Sequence, residues 1–144
     1  MKELKINRPT LGPFMSVVCF RYLHDDAEEM AGPALIIDAG RQRGRDLIEG
    51  MQLECSNQCA EEIQNELHKA FGPDGTRLCL IESVVAKDNG GYEVRSFECA
   101  SPKYTLGVLI GAISSITGKT MLGHEMEVIG KEDVEGRVYH IDPL

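Results

Sequence analysis

The chain has 144 residues, of which 42% are apolar and 26% are charged, and its formal net charge is -8. This length and composition predict a single domain over residues 1–144 with a hydrophobic core, and they exclude a disordered or fibrous chain. The negative charge argues against nucleic acid and anionic membranes as partners, because both require a basic surface patch.

The expected compartment is the cytoplasm. The first ten residues, MKELKINRPT, contain no apolar core of a secretory leader. The longest nearly unbroken apolar run spans residues 106–113, far short of the ~20 residues that a membrane-spanning helix needs. Five cysteines, an odd number without a leader, are expected to be reduced thiols.

Two helices are predicted in the first third of the chain. Residues 17–22 fit either helical spacing or a short strand, and helix is favoured. A second helix should begin at Pro33, a residue suited to the first helical position, and end at Gly50. Its apolar stripe consists of Ile36, Gly40, Gly44, Leu47 and Ile48.

The remaining elements predict an α+β fold. A third helix is expected to reach Phe71 from a cap at Ser56 or Asn57, and KDNGG then connects two β-rich segments as a hairpin. Pro102 is expected to break the chain before a helix over residues 104–118, which is apolar on nearly every side and is therefore predicted to be the most buried. Two final strands complete an antiparallel sheet of about four strands packed with helices.

Two helices carry paired glycines four residues apart, Gly40 with Gly44 and Gly107 with Gly111. Each glycine inside a helix costs roughly 1 kcal/mol relative to alanine. Removal of two side chains in line lets another backbone, or a flat ligand, approach closely. Two interpretations follow, namely close packing between helices or a groove for an apolar molecule.

Signatures of catalysis are mostly missing from the sequence. It contains no GxGxxG after a strand, no P-loop, no GxSxG and no HExxH. Cys55 and Cys59 have the spacing of one helical turn, but two sulfurs do not make a zinc site. His124 with Glu125, and His140 across the last hairpin, could form a polar cluster or could be ordinary surface side chains. The arginines at 41, 43 and 45 are typical of a solvated helix face.

The segment ECASPKYTLGVLIGAISSITGK, followed by GHEMEV, resembles the carboxy-terminal half of the 4-vinyl reductase domain family. The matching positions are Cys99, Gly107, Gly111, Gly118-Lys119 and Glu125, and AGRQRGRDL resembles the family's upstream small-residue helix. The resemblance covers about residues 10–141 and is specific over 99–127. It departs from the family at Val128 and Gly136, which stand where two cysteines of a metal-binding tail are usual, so no metal is expected.

The resemblance implies a fold shared with subunits of the transport-particle tethering complex and a domain that binds small molecules or hydrocarbons, in some members linked to chlorophyll or bacteriochlorophyll biosynthesis. We therefore expect a non-catalytic domain that binds a hydrocarbon or tetrapyrrole-like molecule, without a resident cofactor. The expected ligand-binding residues are Ile36, Gly40, Arg41, Arg43, Gly44, Leu106, Gly107, Leu109, Ile110, Gly111 and Ile113.

Two alternatives remain open from the sequence. The apolar surfaces could instead close a homodimer or dock a protein partner without any ligand, and a homodimer is expected in either case. An enzyme, a reductase or isomerase, is the least favoured alternative, since no fingerprint for a nicotinamide or flavin is present.

Overall fold

A computed structural model of the chain describes residues 8–12, 17–50, 59–131 and 133–144. The elements, in chain order, are α1 (Val17–Ala31), α2 (Pro33–Gly50), α3 (Ala60–Phe71), β1 (Leu80–Ala86), β2 (Tyr92–Phe97), α4 (Pro102–Thr117), β3 (Met121–Lys131) and β4 (Val134–Pro143). The predicted α+β class is confirmed, and the ambiguous first segment is helical.

Breaker residues set most helix boundaries. α2 begins at Pro33 directly after Gly32, whose φ of 83° is readily adopted only by glycine. α4 ends at Gly118, which is left-handed and donates its N–H to the Ser114 carbonyl at 2.9 Å. The prediction that Pro102 breaks the chain before the helix is wrong, because Pro102 is the first residue of α4, where a missing N–H costs nothing.

The start of α3 corrects a second prediction. The helix begins at Ala60 with Cys59 at the N-cap position, and no side chain caps it. The predicted caps, Ser56 and Asn57, lie outside the described residues. Glu61 and Glu62 lie in the first turn, where carboxylates stabilise the exposed N–H groups of a helix.

The four strands form one antiparallel sheet in the order β1-β2-β4-β3. Both predicted hairpins are present, and pairing of β2 with β4, from Tyr92 opposite Ile141 to Phe97 opposite Gly136, joins them into one sheet.

The core lies between this sheet and α4, the most buried helix, as predicted. Leu109 and Ile113 of α4 and Tyr139 and Ile141 of β4 are fully buried there. Burial of each large apolar side chain contributes about 1.5–3 kcal/mol. No helix in the described ranges combines the length and the apolar character needed to cross a membrane.

Candidate functional site

The paired glycines bring α2 and α4 into backbone contact. A Cβ on Gly44 would overlap the Val108 carbonyl oxygen and lie 2.9 Å from its carbonyl carbon, and a Cβ on Gly40 would meet the Tyr104 carbonyl oxygen in the same way. The relationship is reciprocal, because a Cβ on Gly107 would lie 2.9 Å from the carbonyl carbon of Ile37. Each glycine pair therefore faces a pair of carbonyls one turn apart on the other helix.

This contact corrects the prediction that the glycines form the floor of a groove. Real Cβ atoms essentially never approach other heavy atoms within 3.0 Å, so the space above all four glycines is already filled by the opposing backbone. Of the two interpretations of the glycine spacing, close packing between α2 and α4 is the one that the structure shows. The glycines act on a ligand site only indirectly, by fixing the separation of two helices.

An apolar cavity of about 290 Å³ lies beside this helix contact. It is lined by α1, α2, α4, the end of α3 and the segment that follows α3, and it is partly open to solvent. Its wall consists of Phe20, Arg43, Leu47, Phe71, Thr76, Leu78, Tyr104 and Val108. Leu47 and Val108 place the cavity directly beside the glycine contact, because the Val108 carbonyl faces Gly44 and its side chain lines the cavity.

The segment after α3 contributes the one hydroxyl-bearing aliphatic side chain of the wall. Thr76 is fixed by a bond from its N–H to the Ala70 carbonyl at 2.9 Å. Its Oγ1 is buried and has no hydrogen-bond partner among the residues that the structure describes. A buried polar group without a partner costs about 1–3 kcal/mol, so a ligand that reaches this hydroxyl would recover that cost.

An aromatic cluster closes the cavity at α1. The rings of Phe20 and Tyr104 meet edge to face at 5.7 Å between centroids, and His24 packs against both, at 4.2 Å from Phe20 and 5.0 Å from Tyr104. His24 Nδ1 also lies 2.7 Å from the Ser101 hydroxyl. Burial lowers the pKa of His24, because an imidazolium loses hydration between two rings.

Arg21 attaches the same end of α1 to the segment before α4. Its guanidinium donates to the carbonyl of Ala100 at 2.9 Å and to that of Cys99 at 3.1 Å. At α1 the cavity wall is held in place by side-chain contacts with the segment before α4, whereas α2 and α4 are held by continuous contact between their backbones.

Of the residues predicted to bind a ligand, Arg43 lines this cavity. Leu106, Leu109, Ile110 and Ile113 lie in the core cluster with the sheet. Arg41 pairs with Asp38 at 3.6 Å, and Ile36 lies in a small charged crevice of about 200 Å³ near the start of α4. Of the cavity residues that sequence reasoning missed, Leu47, Phe71, Tyr104 and Val108 lie on apolar stripes of their helices, and no local signal separates them from ordinary core.

The predicted polar cluster on the last hairpin forms only in part. The rings of His124 and His140 face each other across β3 and β4 at 5.7 Å. Glu125 instead binds Arg137. His140 extends a surface network, with Lys87 Nζ at 2.9 Å from its Nδ1 and Glu93 at 3.6 Å from its Nε2.

Of the three cysteines whose burial the structure describes, one is exposed and two are buried. Cys59 is exposed at the start of α3, and Cys55 lies outside the described residues. Cys79 and Cys99 are buried side by side, and the hydrogen bond to Cys99, together with burial, raises the pKa of Cys79.

The two positions that depart from the family's metal-binding tail lie on the last hairpin. Val128 is exposed, and Gly136 is covered by the ring of Phe97. Within the described part of the chain, no three His, Cys, Asp or Glu side chains lie together as metal ligands would.

The fold was compared with known proteins. No protein-family model matches the chain, and no curated protein matches its sequence. Among solved structures, the phenol-responsive sensory domain of the transcription activator PoxR with phenol has a TM-score of 0.60 at 15% identity, over 90% of this chain and 75% of that one. A point mutant of T. tengcongensis H-NOX has a TM-score of 0.57 at 15% identity, over 90% of this chain and 74% of that one.

A third similar structure, solved to probe haem distortion in the H-NOX family, has a TM-score of 0.52 at 16% identity, over 87% of this chain and 72% of that one. Identities this low show the fold alone, and the resemblance to 4-vinyl reductase domains stays a prediction. The chain has the α+β fold of the PoxR and H-NOX sensory domains.

Proposed function

We propose that this chain is a domain that binds one small apolar molecule in the cavity between α1, α2 and α4. The observation that carries the proposal is a hollow of about 290 Å³ with mostly apolar walls and an unpartnered buried hydroxyl. Ligand pockets typically have this character, with apolar walls and a few polar groups. The phenol-bound PoxR domain, which has a similar fold, adds support.

The volume restricts the ligand to about one substituted ring. An engineered apolar cavity of about 150 Å³ holds one benzene molecule, so 290 Å³ leaves room for a ring with a substituent or for a short hydrocarbon chain. A haem or another tetrapyrrole has four linked pyrrole rings and is larger than this volume. We therefore do not extend the haem of the H-NOX structures to this chain, nor the chlorophyll link of the family it resembles.

Toluene tests the proposal directly. Seven carbons at about 0.8 kcal/mol each give about 5–6 kcal/mol, which corresponds to a dissociation constant of roughly 0.1 mM. Titration followed by ¹H–¹⁵N spectra of the protein should therefore saturate at low millimolar toluene, with the shifts concentrated around the cavity.

A matched pair of variants locates the site. Leu47→Phe fills the cavity from α2 and should weaken toluene binding at least tenfold, while Leu35→Phe, at an exposed position of the same helix, should not change it. Absence of saturable binding, or equal binding by both variants, would overturn the proposal.

A further inference from the structure

One cation lines the cavity, and its side chain is exposed. Arg43 is the charged residue of the wall. Its neighbours on α2 are otherwise engaged, since Arg41 pairs with Asp38 at 3.6 Å and Gln42 donates to Asp46 at 2.9 Å. Across the described residues, no carboxylate lies within ion-pair distance of Arg43. In a chain of net charge -8, an unpaired guanidinium beside an apolar hollow is informative.

Arg43 and Thr76 define a preference for ligand chemistry. A guanidinium can only donate hydrogen bonds. The Thr76 hydroxyl has no acceptor in the described part of the chain and can donate one as well. A carboxylate only accepts, and each of its two oxygens can accept from a donor such as Arg43 or Thr76. Hydrogen bonds between an ionised donor and an ionised acceptor are roughly twice as strong as neutral ones.

We infer that the molecule held in this cavity is a small organic anion, with an apolar ring or short chain against Phe20, Phe71 and Val108 and its carboxylate at Arg43 and Thr76. This inference rests on the proposed function, because it names the chemical class of the ligand of the same site.

Benzoate and benzamide test the inference, since they share one ring and one shape and differ in charge. Toluene serves as the reference for binding to the apolar part alone. Affinities are measured by calorimetry for the wild type, Arg43→Gln, Thr76→Val and Arg45→Gln. The last variant removes the same charge from an exposed position of the same helix that does not line the cavity.

The expected results separate specific from general electrostatic effects. Benzoate should bind the wild type at least tenfold more tightly than benzamide. Arg43→Gln should remove this preference while toluene affinity changes less than twofold. Thr76→Val should weaken benzoate about threefold and leave toluene unchanged or tighter. Arg45→Gln should match the wild type.

Failure of the inference and failure of the proposed function give different results. If toluene binds but benzoate binds no more tightly than benzamide, or if Arg43→Gln retains the preference, the inference is overturned and the binding function stands. If Arg45→Gln reduces benzoate binding as much as Arg43→Gln, the contact with Arg43 is overturned too. If none of the three probes binds, both the inference and the proposed function are overturned.

Discussion

Gly111→Ala is expected to destabilise the domain. The added methyl would overlap the Arg41 carbonyl oxygen and lie 2.8 Å from its carbonyl carbon and 3.0 Å from its Cα. All three atoms belong to the backbone of α2, so they cannot move aside as a flexible side chain would. The two helices would have to separate along their whole contact.

The magnitude follows from two opposing effects. Overpacking of this kind costs typically about 1–3 kcal/mol and occasionally more, and alanine returns roughly 1 kcal/mol of helix propensity. We place this site at the upper end, because three backbone atoms are too close, and expect a net loss of about 2 kcal/mol. For a domain of this size that lowers the melting temperature by roughly 5–10 °C.

The assay is thermal unfolding by circular dichroism, with Gly50→Ala as the matched control. Gly50 is the last residue of α2, and a Cβ there would meet nothing within 4 Å, so this variant should keep or slightly raise the melting temperature. An unchanged or raised melting temperature for Gly111→Ala would refute the close contact and would restore the groove as the interpretation of the glycines.

Three further predictions concern protonation, reactivity and assembly. Because burial lowers the pKa of His24, the unfolded chain takes up this proton at a higher pH than the folded domain. The free energy of unfolding should therefore fall as pH drops below about 6.5. Urea unfolding at pH 7.5 and 5.5 should show a smaller fall for His24→Phe than for the wild type. An identical fall in the two proteins would contradict the assignment to His24. Iodoacetamide should label exposed Cys59 well before buried Cys79 and Cys99, and peptide mass spectrometry finding equal native labelling would count against their burial. The homodimer stays a prediction, for which the edge strand β3 with its exposed Met126 is the expected contact; light scattering should give a dimer that Met126→Lys converts to monomer, and a monomeric wild type at micromolar concentration would rule it out.

Local signals in the sequence were sufficient for most of the fold. Pro33 and Gly50 bound α2 where expected, and the KDNGG turn places β1 beside β2. The pairing of β2 with β4 could not be predicted in the same way, since it joins segments more than 35 residues apart and depends on which sheet edges meet. Pro102 was misread because a proline that breaks a chain and one that begins a helix look alike in sequence.

The candidate site was much less accessible from the sequence. Its wall comes from five separate segments, and Leu47, Phe71 and Val108 each look like core residues of their own element. The glycine stripes did carry a usable signal. A ligand groove needs small residues on one surface only, whereas two stripes with identical spacing, at Gly40 and Gly107, are complementary to each other.

The contact between α2 and α4 also determines which helix would move when a ligand occupies the cavity. Those two helices pack backbone against backbone at all four glycines, so we expect them to form the more rigid side of the cavity. α1 is different, because the described contacts that join it to the start of α4 are made by side chains such as Phe20 and Arg21, while Leu23 and Met30 remain exposed. A ligand of unsuitable size is therefore expected to displace α1 first. The position of that helix on the surface would then change with the occupancy of the cavity.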